Sequence, residues 1–266
     1  MRIPSPGLIG LLIALAISPR HVACREITDL YRAETVVTGT EEPERTRGFR
    51  EALGRVVVKL TGDIRLATDP RILGLAAKPH DLVATFEYED RMKDIPVHDE
   101  QGTRERPHFL RVAFAKPAID AALQRLGIAK WPADRPVVAV WLRIDTLAGR
   151  ILLTPSGPEG YGQRAVITET ARRLGLPIVL PGAGSTIGFD DIVADRIATL
   201  RTAAPTADAH LVGRLTVRDD GYWDMTWSFL TPPAVHHWSL SRVTFDEALT
   251  FGLAKAVGTL SGAAGK

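Results

Sequence analysis

The chain has 266 residues, 33 Lys and Arg against 31 Asp and Glu, and one cysteine, Cys24. Near-neutrality without a long basic block lacks the electrostatic footprint of a nucleic-acid binder. With its only cysteine at residue 24, the chain beyond it has no means to build a disulfide scaffold, a thiol nucleophile or a zinc–thiolate site.

Residues 1–24 read as a signal peptide. Arg2 gives a positive start, Leu8 to Ile17 is an unbroken apolar run, and Ser18-Pro19 ends it before His21-Val22-Ala23-Cys24. The run is about half the roughly 20 residues that span a bilayer, so it predicts export and a periplasmic product rather than a membrane anchor. Val22-Ala23-Cys24 also resembles the end of a lipoprotein signal, in which Cys24 is acylated and the protein is lipid-anchored to the envelope. His21 in place of the usual Leu, and Pro19-Arg20 across the apolar run, favour simple cleavage. The segment carries Arg2 and Arg20 and no acid. Removing it takes Lys plus Arg from 33 to 31, equal to the 31 acids.

The chain beyond residue 24 is long enough for one large domain or two small ones with real cores. The pattern predicts an N-terminal α/β domain over 25–130 and a C-terminal α/β domain over 137–266. In the first, Tyr31 to Thr38 reads as a strand. Thr40 is placed to cap a helix with Glu41, Glu42 and Pro43 in its first turn. Phe49, Leu53, Val56, Val57 and Leu60 make one face of that helix, and Gly62 stops it. Two further strands are predicted at Leu82 to Tyr88 and His108 to Phe114, joined by a polar segment from Glu89 to Pro107 that is long for a hairpin loop. A helix from Pro117 ends before Gly127.

Trp131 to Pro136, with two prolines in six residues, suits a linker. Val137 to Leu142 is apolar throughout, as in a central strand covered on both faces. Tyr161 to Leu174 predicts a helix closed by Gly175, Pro177 to Leu180 a short buried strand, and Asp190 to Leu200 another helix. A meander comes next: Leu211 to Val217, an Asp220-Gly221 turn, Tyr222 to Leu230, and Val235 to Ser241 after Pro232-Pro233. Thr244-x-x-Glu247 is a capping box that opens the last helix. The predicted class is therefore α/β with mixed sheets, two consecutive strand-helix units, the second with an antiparallel meander and a closing helix. Phe49-Arg50-Glu51-Ala52-Leu53 leading to Leu60-Thr61-Gly62 parallels Phe245-Asp246-Glu247-Ala248-Leu249 leading to Leu260-Ser261-Gly262. Either a duplication or common helix vocabulary accounts for it.

Candidate chemistry is sparse. Gly182-Ala183-Gly184-Ser185-Thr186-Ile187-Gly188 is one residue too long for a dinucleotide loop, lacks the Lys-Ser/Thr of a P-loop, and precedes Asp190 and Asp191, which repel phosphate. His98, Asp99, Glu100 and His108 are metal-ligand types within one short span, without HExxH spacing or a helical pair. His236 and His237 point to opposite strand faces. Ser156, Ser185 and Ser261 lack a nucleophile elbow. Glu87 and Glu89 are placed to pair with Arg111 across a sheet, which is ordinary sheet electrostatics more often than an acid/base dyad. Trp223 and Trp227, two apart on the same strand face, form either a sugar-stacking platform or, with Met225 and Phe229, a sheet face under helices. No catalytic residue, metal ligand or cofactor site is assigned.

Gly48-Phe49-Arg50-Glu51-Ala52-Leu53 through Val58-Lys59-Leu60-Thr61-Gly62-Asp63 resembles a family of exported proteobacterial proteins. So do Phe86-x-Tyr88, Asp99-Glu100-Gln101-Gly102-Thr103, Trp131-x-x-x-Arg135-Pro136 and Leu211-Val212-Gly213. The family is catalogued as a domain of unknown function, number two thousand and sixty-six of its series. The resemblance covers nearly the whole chain after residue 24 and implies an envelope location without an activity. Ala207 to Gly213 and Leu260-Ser261-Gly262 also resemble, at fold level, the amino-terminal domain of TolB. Fold alone does not fix function.

The expectation is a non-enzymatic periplasmic accessory or adaptor protein without cofactors. Its partner is another envelope protein or a cell-wall component, not nucleic acid, and it meets a membrane only if Cys24 is lipidated. The alternative is a periplasmic hydrolase or metal-dependent enzyme using the loop from His98 to His108.

Overall fold

A computed structural model of the chain describes residues 25–94, 105–182, 187–192 and 196–263. Its class is mixed α/β. The first half opens with β1 (Arg25–Glu26), β2 (Arg32–Thr38) and α1 (Glu42–Thr61). Two 3-10 turns (Ile64–Thr68 and Pro79–Leu82) flank α2 (Pro70–Leu75), and β3 (Val83–Asp90), β4 (Pro107–Phe114) and α3 (Lys116–Arg125) complete this half. Strand order is β2-β4-β3, antiparallel throughout. Period-two alternation aims Val37, Leu110 and Val112 at α1, whose Phe49, Leu53, Val56, Val57 and Leu60 are all buried. The helix begins one residue later than Thr40 predicts. Glu41 holds the cap position without a side-chain bond, and acidic Glu42 and Glu44 with Pro43 supply the start.

Trp131 to Pro136 is not a linker. Trp131 is buried, Arg135 is completely buried, and β5 (Asp134–Arg135) pairs with β1. The prolines shape a packed strap across the junction of the two halves.

The second half is a six-stranded sheet with β6 (Val138–Thr146) at its centre. Antiparallel β7 (Gly149–Leu152), which the pattern did not anticipate, extends β6 on one side. Beyond α4 (Tyr161–Leu174), the two-residue β8 (Ile178–Val179) runs parallel to β6. On the other side lie β9 (Ala209–Val217), parallel to β6, then β10 (Trp223–Thr231) and β11 (Ala234–Val243). The predicted helix Asp190 to Leu200 is broken. Residues 189–191 make a 3-10 turn, and α5 begins only at Ile197 (Ile197–Ala203). The last helix, α6 (Phe245–Leu260), starts from the predicted box: Thr244 Oγ1 accepts from the Glu247 N–H, and Glu247 accepts from the Thr244 N–H. Such a cap is worth about 1 kcal/mol.

Helices α4 and α6 cover one face of this sheet, burying Val140, Leu142, Leu211, Met225, Trp227 and Phe229. The opposite face of the same strands is apolar only where α5 and its flanks cover Trp141 and Val212. Trp227 sets how closely α6 approaches. Its indole lies between Gly213 and Gly252, where an added Cβ would come within 2.4 and 2.3 Å of the ring. Its Nε1–H donates to the Ala248 carbonyl at 3.0 Å.

The first core is drawn from residues between Leu30 and Leu123, while the largest second-half core also includes Val58 and Trp131. The two similar motifs end at one place: Ser261 Oγ donates to the Gly62 carbonyl at 3.5 Å, so α1 and α6 meet by their C-terminal ends.

Candidate functional site

The residues singled out by sequence separate into four groups. Cys24, His98, Asp99, Glu100, Ser185 and the centre of the glycine-rich loop lie outside the described residues. His108 is in β4, where its Nδ1 is 2.8 Å from the Arg106 carbonyl and its ring meets Tyr88 edge-on. Trp223 and Trp227 share a face beneath α6, as a covered sheet face requires, and Trp227 is buried. Arg111 does bridge acids across the first sheet. It meets Glu34 at 2.9 Å and Glu87 at 3.7 Å, and pairs with Glu89. Arg111, Glu34 and Glu87 line a polar hollow of about 330 Å³ with Asp29, Arg32 and Arg172, but its acids are already paired, Glu34 and Glu87 with Arg111 and Asp29 with Lys59.

Three buried ionisable side chains went unassigned in the sequence. Arg135 donates from Nη2 to the Lys59 carbonyl (2.7 Å) in the last turn of α1. From Nη1 it donates to the Leu174 (3.2 Å) and Gly175 (2.7 Å) carbonyls at the end of α4, and from Nε to the Pro132 carbonyl (3.1 Å). The Trp131 ring lies 3.9 Å from the guanidinium carbon. One cation thus serves the negative ends of two helix dipoles and fastens the halves together. Gly175 is required beside it, with φ of 63° and a Cβ position only 2.5 Å from Nη1. Burial lowers the Arg135 pKa to about 10, so it remains charged.

Lys59 Nζ reaches the Asp29 carbonyl and Oδ2 (both 3.2 Å) and the Arg32 carbonyl (2.9 Å). Its pKa is lowered by burial and partly restored by Asp29. In the second half, Trp141 Nε1–H donates to His210 Nδ1 at 3.1 Å. Burial, with a smaller contribution from Arg201, depresses the His210 pKa to about 4. The ring is neutral at neutral pH, as an Nδ1 acceptor requires. Each of these three groups has a structural partner.

The sheet edges differ among themselves. Along β2, the Val36, Glu34 and Arg32 carbonyls accept from Arg47 (3.1 Å), Arg55 (2.6 Å) and Lys59 (2.9 Å) of α1. Four helical residues and two strand residues advance by similar distances, about 6.0 and 6.6 Å, so Arg55 and Lys59 match Glu34 and Arg32 in step. That edge is covered by a row of cations. The β3 edge carries Glu87, Glu89 and Asp90, and β7 has only four residues. Among the described residues the β11 edge has neither cover nor a row of charges, and a bulge at Ser241 and Arg242 interrupts it only near its end.

Eight of the ten residues of β11 pair with β10, Ser241 and Arg242 falling in a bulge, and β11 pairs with no other described strand. Val235 is half exposed, and Ala234, His237, Ser239 and Ser241 are exposed. Its only Lys, Arg, Asp or Glu is Arg242, which is drawn back onto Asp220 at 3.2 Å and over the Tyr222 ring. The side chains that stabilise β11 do so from its inner side: His237 Nδ1 lies 2.9 Å from Ser228 Oγ, and Ser241 Oγ donates to Asp224 at 2.6 Å. Its outer backbone groups offer a template for an added strand. Sequence patterning had shown β11 as a strand; that it ends the sheet depends on strand order.

Among known families, one profile matches, that of a domain of unknown function (DUF8605), over residues 24–132. The matched stretch holds β1 through α3 and stops at the Trp131 strap. No curated protein matches the sequence. Among the described residues, no helix is long and apolar enough to cross a membrane, and no group of three or more His, Cys, Asp or Glu is placed to hold a metal ion.

Proposed function

We propose that this protein is a non-enzymatic accessory or adaptor of the cell envelope, exported to the periplasm, that holds an extended segment of another envelope protein along β11. The observation that carries the reading is the uncovered, uncharged edge from Ala234 to Leu240 in a molecule that covers, charges or shortens its other long sheet edges. Strand addition uses main-chain hydrogen bonds for affinity and alternate side chains for selection, and it needs no cofactor. The uncharged outer side of β11 suits a segment of apolar and small polar residues.

The address comes from residues 1–24 and from the resemblance to the exported proteobacterial family. The signal is read as cleaved, with a soluble product. An intact mass of the mature N-terminus carrying a diacylglyceryl group on Cys24 would replace that by a lipid-anchored form. Against an enzyme stands the use of the buried polar groups: Arg135, Lys59 and His210 are each engaged in holding the fold.

The test is photo-cross-linking in cells from Val235 and Ser239, with Thr85 on β3 as the comparison site. The expected result is an adduct to one envelope protein from β11 only, with the Val235 adduct lost in Ser239→Lys. Adducts from Thr85 alone, adducts only to a second copy of the chain, or no adduct from either strand would each overturn the reading.

A further inference from the structure

Away from β11, helices α1, α4 and α6 leave a cleft of about 370 Å³, closed at one end by the 3-10 turn at Ile64. This is within the range of small-molecule sites. Its walls include Gly54, Val58, Ile64, Leu174 and Ala254, and the Thr170 and Thr250 hydroxyls, in contact at 3.4 Å, tie α4 to α6 along one wall. Ile64 is half exposed there.

The charges at its mouth are unequal. Three arginines line it, Arg50, Arg55 and Arg173, against one acid, Glu51. Arg50 donates to the Ala76 carbonyl and Arg55 to the Glu34 carbonyl, while Glu51 is taken by Arg47 and Arg55. Arg173 has no carboxylate within ion-pair distance among the described residues. Partial burial and the neighbouring Arg55 and Arg172 charges lower its pKa against the weaker opposing pull of Glu169 and Glu51, so an anion placed there adds to an attraction that is incomplete.

We propose that this cleft binds a single-chain anionic amphiphile, an alkyl carboxylate whose hydrocarbon chain lies along Val58, Leu174 and Ala254 and whose head group pairs with Arg173. Apolar walls with one placed charge are the usual makeup of such a site, and guanidinium pairs a carboxylate through two parallel hydrogen bonds. The inference is independent of the β11 reading.

Isothermal titration of the full chain with sodium dodecanoate below its micelle concentration tests it. We expect one bound molecule per chain, at least tenfold weaker binding in Arg173→Gln, and none in Ala254→Phe. Gly54→Leu serves as a second cleft-filling variant, since a Cβ there meets only Ala67, at 3.7 Å or more. Thermal unfolding of each variant identifies one that has failed to fold, and the remaining variants then decide. Acetate and dodecyltrimethylammonium separate chain from charge, and neither is expected to bind. Equal binding of dodecanoate by wild type and Arg173→Gln, equal binding of dodecyltrimethylammonium, or no binding at all would overturn the proposal. Uptake onto anionic phospholipid vesicles without binding of free dodecanoate would instead assign the cleft to a membrane surface and overturn it as stated.

Discussion

The edges of β2 and β11 pose one chemical problem and meet it in opposite ways. Both present a row of main-chain groups with no neighbouring strand. On β2, α1 lays Arg47, Arg55 and Lys59 over successive outward carbonyls; on β11 no described side chain does so. An unguarded edge is a hazard that folded proteins ordinarily remove. A molecule able to seal one edge with its own side chains and leaving another bare has an edge available for use.

The buried polar groups divide along the same line. Those serving the first half and the junction, Lys59 and Arg135, are cations held by carbonyls. The second half instead buries a histidine that must stay neutral.

The strongest way to break the comparison is Arg135→Met. It strands the Lys59, Leu174 and Gly175 carbonyls and separates two helix ends from their shared cation. We expect a loss of about 3–5 kcal/mol, from several buried carbonyls left unmet at roughly 1–3 kcal/mol each. Urea denaturation followed by tryptophan fluorescence and by far-ultraviolet dichroism should then show two transitions where wild type shows one.

Lys59→Met is expected to cost about 2–4 kcal/mol, since it leaves three acceptors unmet. Combined with Arg55→Ala it bares the Arg32 and Glu34 carbonyls of β2 and leaves only Arg47 over Val36. Sedimentation velocity should then detect concentration-dependent association that neither wild type nor Arg111→Ala shows.

Acid should act on the second half first. His210 has a folded pKa of about 4 against an ordinary value of 6.5, so between these values the unfolded chain binds the extra proton. Stability is therefore complete above about pH 6.5 and falls as pH drops toward 4, by on the order of 3 kcal/mol. Below that both states are protonated and the loss stops growing. In the first half, Glu44 and Asp69 are held at about 2 mainly by Arg47 and Arg71, so they titrate only at lower pH. Hydrogen exchange at pH 5 should show β9 opening before β4, and His210→Gln should flatten the slope of stability with pH between 6.5 and 4.

The smallest expected effect on stability sharpens the comparison most. Ser239→Lys adds a charge to the exposed edge and should change stability by less than about 0.5 kcal/mol. It should still abolish cross-linking from Val235. A variant that keeps the cross-link would show that the edge is not the contact.

Much of this architecture was legible because its determinants are local. The apolar run at Val137 to Leu142, the Gly175 that closes α4 and the Thr244–Glu247 box each mark an element at its own position. The ion pairs of Arg111 with Glu87 and Glu89 followed from strand alternation alone. The junction was not legible. Arg135 binds carbonyls, which every residue has, so neither its partners nor its burial leaves a trace in composition. The prolines around it suggested a linker instead. The basic residues of α1 did carry a signal, Arg47, Arg55 and Lys59 being spaced by eight and four. Knowing that they face the margin of β2 required the fold. Likewise β11 reads as a strand from its residues, whereas its place at the end of a sheet is a matter of topology.

The position of Arg135 in the chain also dictates a sequence of events during synthesis. One of its helix-end acceptors, Lys59, is made 76 residues earlier, and another, Gly175, 40 residues later. A nascent chain growing at about 5–20 residues per second therefore holds a half-satisfied guanidinium for roughly 2–8 s before α4 is complete. In that interval α1 and its sheet can assemble, but the side chain that joins them to the rest has only one helix to hold. Slowing elongation between residues 135 and 175 would prolong the life of that incomplete form and its exposure to proteases.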